Sequence, residues 1–284
     1  MKSGLEDKCE SVDTIVSIVE GAGAKVFMDP KRIGGIDCAT DHPEYKNEDE
    51  IDLLLVIGGD GTILRAVREL SDCNIPILSV NKGRVGFLAE TEFDEAADLI
   101  PKFINGGGVI DERRLINVSA MRGDKEIISG FALNEAVIAQ GTIARLVDLK
   151  TSVNGEPLTT FHADGLILAT PTGSTAYSLS SGGPIVHPTL DAMILTPISP
   201  HSFSQKPVVI RSDAKVEIVV KTKQKKYKDT EVVLTLDGQV YVGLEGEDRI
   251  TITQDKRSVK FLRRKQDTFF GTLRDKLKWG ERVD

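Results

Sequence analysis

Residues Ile51 to Leu70, IDLLLVIGGDGTILRAVREL, constrain the fold more tightly than any other stretch of this chain. An apolar run, Leu53 to Ile57, stops at Gly58-Gly59-Asp60-Gly61-Thr62, and Ile63, Ala66, Val67 and Leu70 then recur at helical spacing. A buried strand that turns through glycines into a helix brings backbone N–H groups and the positive helix end to one point, which suits phosphate. Gly58, Gly59 and Gly61 are expected to take positive φ and to let a ligand approach the backbone. Thr62 is expected to cap the helix through its hydroxyl. Asp60 is an acid where anions should bind, which implies a chemical task or a bound cation. The alternative is an ordinary strand–turn–helix corner in which Asp60 only caps.

A chain of 284 residues exceeds the usual single-domain size, so two domains or one large one are expected. No stretch reads as a signal peptide, and no apolar run approaches the about 18 residues of a membrane span. Cys9, Cys38 and Cys73 lack metal-ligand spacing and point to free thiols in a reducing compartment, hence the cytoplasm. A net charge of −7 argues against broad nucleic-acid binding, whose affinity comes from neutralising phosphates. The cluster Lys221 to Lys228 lies between two strand-like runs and reads as a solvated hairpin tip.

Two regions differ in pattern. Up to Gly108 the spacing predicts a helix over Val12 to Glu20, a short strand over Lys25 to Met28, and a polar connection over 29–50. The strand–glycine–helix unit comes next, then a strand over Ile75 to Val80, a glycine-punctuated loop, and a helix over Glu92 to Asn105 despite Pro101. Helices alternating with short strands make this an α/β layer. Beyond Gly108, strands are predicted over Leu115 to Met121, Ile127 to Ala139, Leu146 to Val153, Leu166 to Thr170, Met193 to Thr196 and Val208 to Ile210. They continue over Val216 to Lys221, Val232 to Leu236, Val240 to Leu244 and Ile250 to Gln254, with turn signals at Arg122-Gly-Asp, Asn154-Gly155 and Asp237-Gly238. The tail, Phe269 to Trp279, regains helical spacing and is expected to dock back on the first domain. The expectation is an α/β domain over 1–108 with the tail 262–284, and a β-rich domain over 109–261.

Three further stretches carry candidate chemistry. Asp164-Gly165 precedes a strand, and PTGSTAYSLSSGGP, from Pro171 to Pro184, follows it. Its hydroxyls, at Thr172, Ser174, Thr175, Tyr177, Ser178, Ser180 and Ser181, are denser than a helix start needs. They can hold ribose, amide or phosphate oxygens without charge; a ligand-free Ser/Thr-rich cap is the alternative. Asn134-Glu135 sits in a strand-like segment, where a buried amide and carboxylate need partners. Vicinal ribose hydroxyls would serve, and a solvated strand edge is the alternative. His42, His162, His187 and His201 form no pair with ligand spacing, so no zinc site is expected. No GxSxG elbow supports a serine hydrolase.

Together these residues resemble the NAD kinase family. The matching motifs are Gly58 to Thr62 (GGDGT), Asn81 to Leu88 (NKGRVGFL), Asn134-Glu135, Asp164 to Pro184 (DGLILATPTGSTAYSLSSGGP), Ile198 to His201 (ISPH) and Asp237-Gly-Gln239, in the family's order. The first alone is shared with lipid kinases and phosphofructokinases; the long fourth motif is far more specific. The resemblance implies the α/β N-terminal and β-rich C-terminal architecture. It implies phosphorylation of the 2′-hydroxyl of the adenosine ribose of NAD, with Asp60 as proton acceptor. It also implies NAD contacts from Asp60, Gly61, Arg65, Asn134, Glu135, Arg145, His162, Asp164, Thr175, Ala176, Tyr177, Ser178, Leu179, Ser180 and Gln239. Gly58, Gly59, Gly61 and Thr62 form the implied phosphate-donor loop.

The family further implies ATP or polyphosphate as donor, a divalent cation (Mg²⁺) carried mostly by phosphates and water, and a homodimer or homotetramer. His162 stands where members often have arginine, which leaves NAD-versus-NADH preference open. Members usually begin with an apolar strand and a short turn; here Met1 to Glu10 is polar and the first helix starts at once, so a truncated or absent first strand is expected to weaken the first domain. Two rivals remain. A lipid kinase would need an apolar acyl pocket, against the hydroxyl-dense Thr172 to Ser181. A nucleotide sensor would have no use for Asp60.

Overall fold

The computed structural model describes residues 3–29, 42–44, 51–70, 73–82, 86–89, 91–141, 146–221, 232–264 and 269–278. The chain divides into two compact units, Met1–Glu112 with Val259–Asp284, and Arg113–Ser258.

In the first unit, α1 (Ser3–Gly21) precedes β1 (Leu54–Ile57), α2 (Asp60–Glu69), β2 (Ile77–Asn81) and the short β3 (Thr91–Glu92). A 3-10 turn, Phe93–Glu95, then runs into α3 (Ala96–Ile104), which carries Pro101. β1, β2 and β3 pair in parallel, with Leu54 opposite Ile77 and Val80 opposite Thr91. Every residue of β2 is buried, as a central parallel strand covered on both faces must be. Leu78 and Val80 pack with Ile15 of α1 and with Ile100 and Phe103 of α3, while α2 buries Ile63, Leu64, Ala66 and Val67. The strand expected over Lys25 to Met28 is reduced to a single bridge, Met28 to Glu44.

The second unit is antiparallel. Its strands are β4 (Val109–Arg122), β5 (Lys125–Ala132), β6 (Glu135–Gln140), β7 (Val147–Val153), β8 (Glu156–Ala163) and β9 (Gly165–Ala169), followed by the one-turn helix α4 (Tyr177–Ser180). Then come β10 (Ala192–Ile198), β11 (Val208–Arg211), β12 (Val216–Lys221), β13 (Val232–Leu236), β14 (Val240–Leu244) and β15 (Arg249–Arg263). One sheet has the order β11-β10-β9-β6-β13-β14. In the other, β12 pairs with β7 and β15, β7 with β8, and β4 with β5 and β15. Ile138, Leu168 and Leu234 of the first sheet share a core with Leu149, Phe161, Ile218 and Ile250 of the second, the packing of a β-sandwich. Asn154 and Gly155 both take positive φ (53° and 82°), the two-residue hairpin their sequence indicates.

Three boundaries differ from the sequence reading. The single strand expected over Ile127 to Ala139 breaks at Leu133-Asn134 into β5 and β6. β8 was not foreseen; its first four residues are exposed, so it lacks an alternating apolar pattern. β15 runs on past Gln254 to Arg263, where pairing with β4 and β2 continues the ladder; along it Asp255 pairs with Arg257, whose guanidinium lies 4.4 Å from the Phe131 ring centre. The last residues of β15 pair with β2 through Phe261 and Ile77, and α5 (Phe269–Leu277) buries Leu273 within the first unit. Cys38, most of the lysine cluster and Trp279 lie outside the described residues. No described helix is long and apolar enough to cross a membrane.

Candidate active site

β1 delivers the chain to Gly58, whose φ of +151° excludes side chains and whose N–H donates to the Val80 carbonyl at 2.8 Å. Gly59 and Gly61 do not take positive φ; a Cβ on either would meet no described atom within 4 Å, so their surface is bare. The expected hydroxyl cap by Thr62 is not formed. Gly59 caps α2 without a side-chain bond, and Thr62 lies within the first turn with its N–H donating to the Gly59 carbonyl at 2.8 Å. Gly58 and Thr62 therefore shape the loop and do not present free N–H groups.

Asp60 opens α2, and its half-buried carboxylate accepts three consecutive backbone N–H groups from the end of the NKGRVGFL loop and the residue after it. Phe87 donates to Oδ2 at 2.9 Å, and Leu88 and Ala89 donate to Oδ1 at 3.2 and 3.3 Å. This resolves the oddity of an acid at a helix start: the charge is met by amide donors, and an acid in the first turn also complements the helix dipole. Arg65, one turn on, is exposed and pairs with Glu69 at 2.9 Å.

The second unit repeats the device. The Asp237 carboxylate accepts N–H groups from Leu133, Asn134 and Glu135 at 2.9, 2.8 and 3.1 Å. Asp237 and Gly238 take positive φ (49° and 64°) in the β13–β14 turn, which closes with the Gln239 N–H on the Leu236 carbonyl. Thr170 adds a hydroxyl bond to the Leu133 carbonyl, and its N–H donates to the Asn134 carbonyl at 2.8 Å. Gly173 packs so closely that a Cβ there would lie 2.1 Å from the Asn134 oxygen. The corner is thus fixed on three sides. Glu135 is 8% exposed, and its Oε2 is buried without a hydrogen-bond partner. Burial, and then the Asp237 charge, push its carboxyl up from 4.5 to about 8.

The hydroxyl-dense segment forms a 3-10 turn, Thr172–Thr175, and then α4. Much of its density is internal. Ser174 Oγ donates to the Pro171 carbonyl at 2.6 Å and accepts the Val186 N–H at 3.0 Å; Ser178 Oγ bonds Thr196 at 2.8 Å; Thr172 Oγ1 accepts from the buried Arg113 at 3.3 Å. Ser178 is fully buried, so its hydroxyl is packing, contrary to a ligand-facing side chain. Tyr177 and Ser180 are exposed, and Thr175, Ala176 and Leu179 are half-buried.

The structure brings Asn134, Glu135, the Thr172–Thr175 turn and the Asp237–Gln239 turn together. It does not bring Asp164 and His162 to them. Glu135 pairs with Ala169 at one end of the β6–β9 ladder and Ala139 with Gly165 at the other, a separation of about 13 Å at the usual strand rise. There Asp164 accepts from Gln140 at 3.3 Å, and His162 Nδ1 lies 2.5 Å from Asp148 Oδ1. Arg145 lies outside the described residues. The clamp by Asp237 and the donors Phe87 to Ala89 were missed as such, since both act across long sequence separations; their motifs were the only signal. Among the described residues no three His, Cys, Asp or Glu side chains converge to hold a metal ion. A cation carried by phosphate oxygens and water needs no such cage.

Residues 24–109 match the family of the ATP-NAD kinase N-terminal domain, and residues 133–264 that of the ATP-NAD kinase C-terminal domain. The NAD kinase of Geotalea daltonii is 38% identical over 278 residues, 98% of this chain and 96% of that protein. The NAD kinase of Geobacter sulfurreducens is 42% identical over 231 residues, covering 81% and 80%. Among solved structures, yeast NADH kinase complexed with NADH superposes with a TM-score of 0.85 at 26% identity, covering 97% of this chain and 85% of that one. An NAD kinase from Archaeoglobus fulgidus in complex with ATP gives 0.66 at 29% identity, covering 87% and 96%.

Proposed function

The chain belongs to the NAD kinase family, and from that premise we propose that it phosphorylates the 2′-hydroxyl of the adenosine ribose of NAD, with ATP or polyphosphate as donor and Asp60 as proton acceptor. The ribose oxygen attacks the terminal phosphorus, the bond from that phosphorus to the bridging oxygen breaks, and the hydroxyl proton passes to Asp60. The products are NADP and the shortened donor. The transition state is loose, so the proton leaves late and a carboxylate suffices to accept it.

The observation that carries this reading is how Asp60 is held. A carboxylate offers about four acceptor directions, and three are taken by Phe87, Leu88 and Ala89. Oδ2 takes only one of these bonds and keeps a direction for the ribose hydroxyl. Holding the acceptor still before the reaction is how positioning lowers the barrier. Glu135 supports the reading from the second unit. Its buried Oε2 has no hydrogen-bond partner and suits a ribose hydroxyl, and Asn134 and the Asp237–Gln239 turn adjoin it through the Asp237 clamp. The bare surface at Gly59 and Gly61 admits donor phosphates close to the backbone. A divalent cation, Mg²⁺, would supply charge neutralisation at the transferred group, with no dedicated protein cage needed to hold it.

We place the protein in the cytoplasm, in keeping with the free thiol of Cys9. Self-association falls to the β-rich unit, whose outer strands β11 and β14 expose Val209 and Tyr241. The testing experiment incubates the protein with NAD, Mg²⁺ and either ATP or polyphosphate and reads NADP with an NADP-specific dehydrogenase. NADP formation with either donor supports the reading. A folded protein that forms none with both donors overturns it.

A further inference from the structure

We propose that Gly86 is a positioning residue for the Asp60 carboxylate: the space a side chain would occupy at Gly86 is the space that carboxylate fills. The proposal rests on Asp60 being the proton acceptor. A Cβ on Gly86 would lie 2.1 Å from Asp60 Oδ1, 2.2 Å from Oδ2 and 2.3 Å from Cγ, nearer than to any other described atom. The three atoms nearest that Cβ all belong to the neighbouring carboxylate.

The loop that follows cannot retreat to relieve such a contact. Leu88 and Ala89 are buried, the Leu88 carbonyl accepts from the buried Ser79 hydroxyl at 3.4 Å, and the Phe87 carbonyl accepts from Arg263 Nη2 at 3.2 Å. Arg263 is itself held by Asp111, whose Oδ2 lies 2.7 Å from its Nε as an ion pair without hydrogen-bond alignment. The mobile partner is therefore the Asp60 side chain, which can swing out by rotation about its own bonds and would then leave all three N–H donors. A methyl group at Gly86 therefore costs the three N–H bonds of the carboxylate as well as the position of the acceptor. Arg263 acts in the same sense at one remove, by fixing the carbonyl of the first donor residue.

The test uses the full chain with NAD, Mg²⁺ and ATP, comparing Gly86→Ala, Asp60→Asn and the double variant. Gly86→Ala is expected to lower kcat by about 100-fold or more, on the scale of losing a general base. The dissociation constant for NAD should stay near wild type, the melting temperature should fall with the three lost bonds, and the double variant should be no slower than Asp60→Asn alone. Near-wild-type turnover in Gly86→Ala, or a second full loss added on top of Asp60→Asn, overturns the proposal. Should Asp60→Asn itself keep turnover, the proton-acceptor reading is what fails. The proposal is then decided by a crystal structure of Gly86→Ala, in which an undisplaced Asp60 side chain overturns it. Arg263→Gln is the variant to use if Gly86→Ala does not fold. It is expected to lower kcat about tenfold with KM for NAD unchanged and no further loss in the Asp60→Asn background, and an unchanged kcat counts against the loop's role.

Discussion

Asp237 accepts the backbone N–H of Glu135 at 3.1 Å while its charge bears on the Glu135 carboxyl, whose Oε2 is buried without a partner. One aspartate thus builds the corner and also biases the acid within it towards the neutral form. The consequences can be measured.

Stability should depend on pH through Glu135. Its carboxyl is pushed from 4.5 to about 8 in the folded protein, chiefly by burial. Between those values the folded state holds a proton that the unfolded chain has lost, so this contribution to stability is present below about 4.5 and is lost as pH rises through about 8. At about 1.4 kcal/mol per unit the effect is on the order of 5 kcal/mol. Glu135→Gln, neutral at every pH, should melt close to wild type near the acid end of this window and several degrees higher at its alkaline end. Thermal melts across the window check it; a constant difference would contradict it.

Removing the clamp should open the corner. Asp237→Ala leaves three consecutive N–H groups without their acceptor. The expected cost is about 3 kcal/mol of stability, given the strength of hydrogen bonds to charged groups. The affinity for NAD, measured by calorimetry, should fall at least about tenfold. The pH-dependent part of stability should also shift to lower pH, since the Asp237 charge is one of the two causes that raise Glu135.

Gly173→Ala tests the turn against the corner. The added methyl would stand 2.1 Å from the Asn134 carbonyl oxygen, which accepts the Thr170 N–H, while the Asn134 N–H is held by Asp237. KM for NAD should rise about tenfold or more, with a smaller effect on kcat, because binding and not proton transfer is disturbed. Steady-state kinetics read the split directly.

Ser178→Ala separates packing from recognition. The hydroxyl is fully buried and bonds Thr196. Its loss should cost about 1–3 kcal/mol in a denaturant titration, through the unpaired Thr196 hydroxyl. KM for NAD should stay within about twofold. A large KM effect without a stability effect would place that hydroxyl on the ligand.

Much of this was legible in the residues. Val216 to Lys221, Val232 to Leu236 and Val240 to Leu244 form strands with the bounds their alternation indicates, and Gly58 marks the turn into α2. Local pattern reports such elements because the cause is local. The break at Leu133-Asn134 was not legible, since its cause is Asp237, about a hundred residues further on. For the same reason the hydroxyls of Thr172 to Ser181 counted equally as ligand groups until burial separated Ser174 and Ser178 from Tyr177 and Ser180. The proposed chemistry rests on Asp60 and Glu135, both visible in the sequence; how each is held depends on contacts that only the folded chain makes.

The most direct test of the account is the turnover of Asp60→Asn with saturating NAD, Mg²⁺ and donor, with NAD binding measured on the same sample. The amide preserves size and part of the acceptor set but cannot take the proton. The account predicts a fall in kcat of about 10²–10⁴-fold with NAD binding nearly unchanged. A kcat within about threefold of wild type would contradict it.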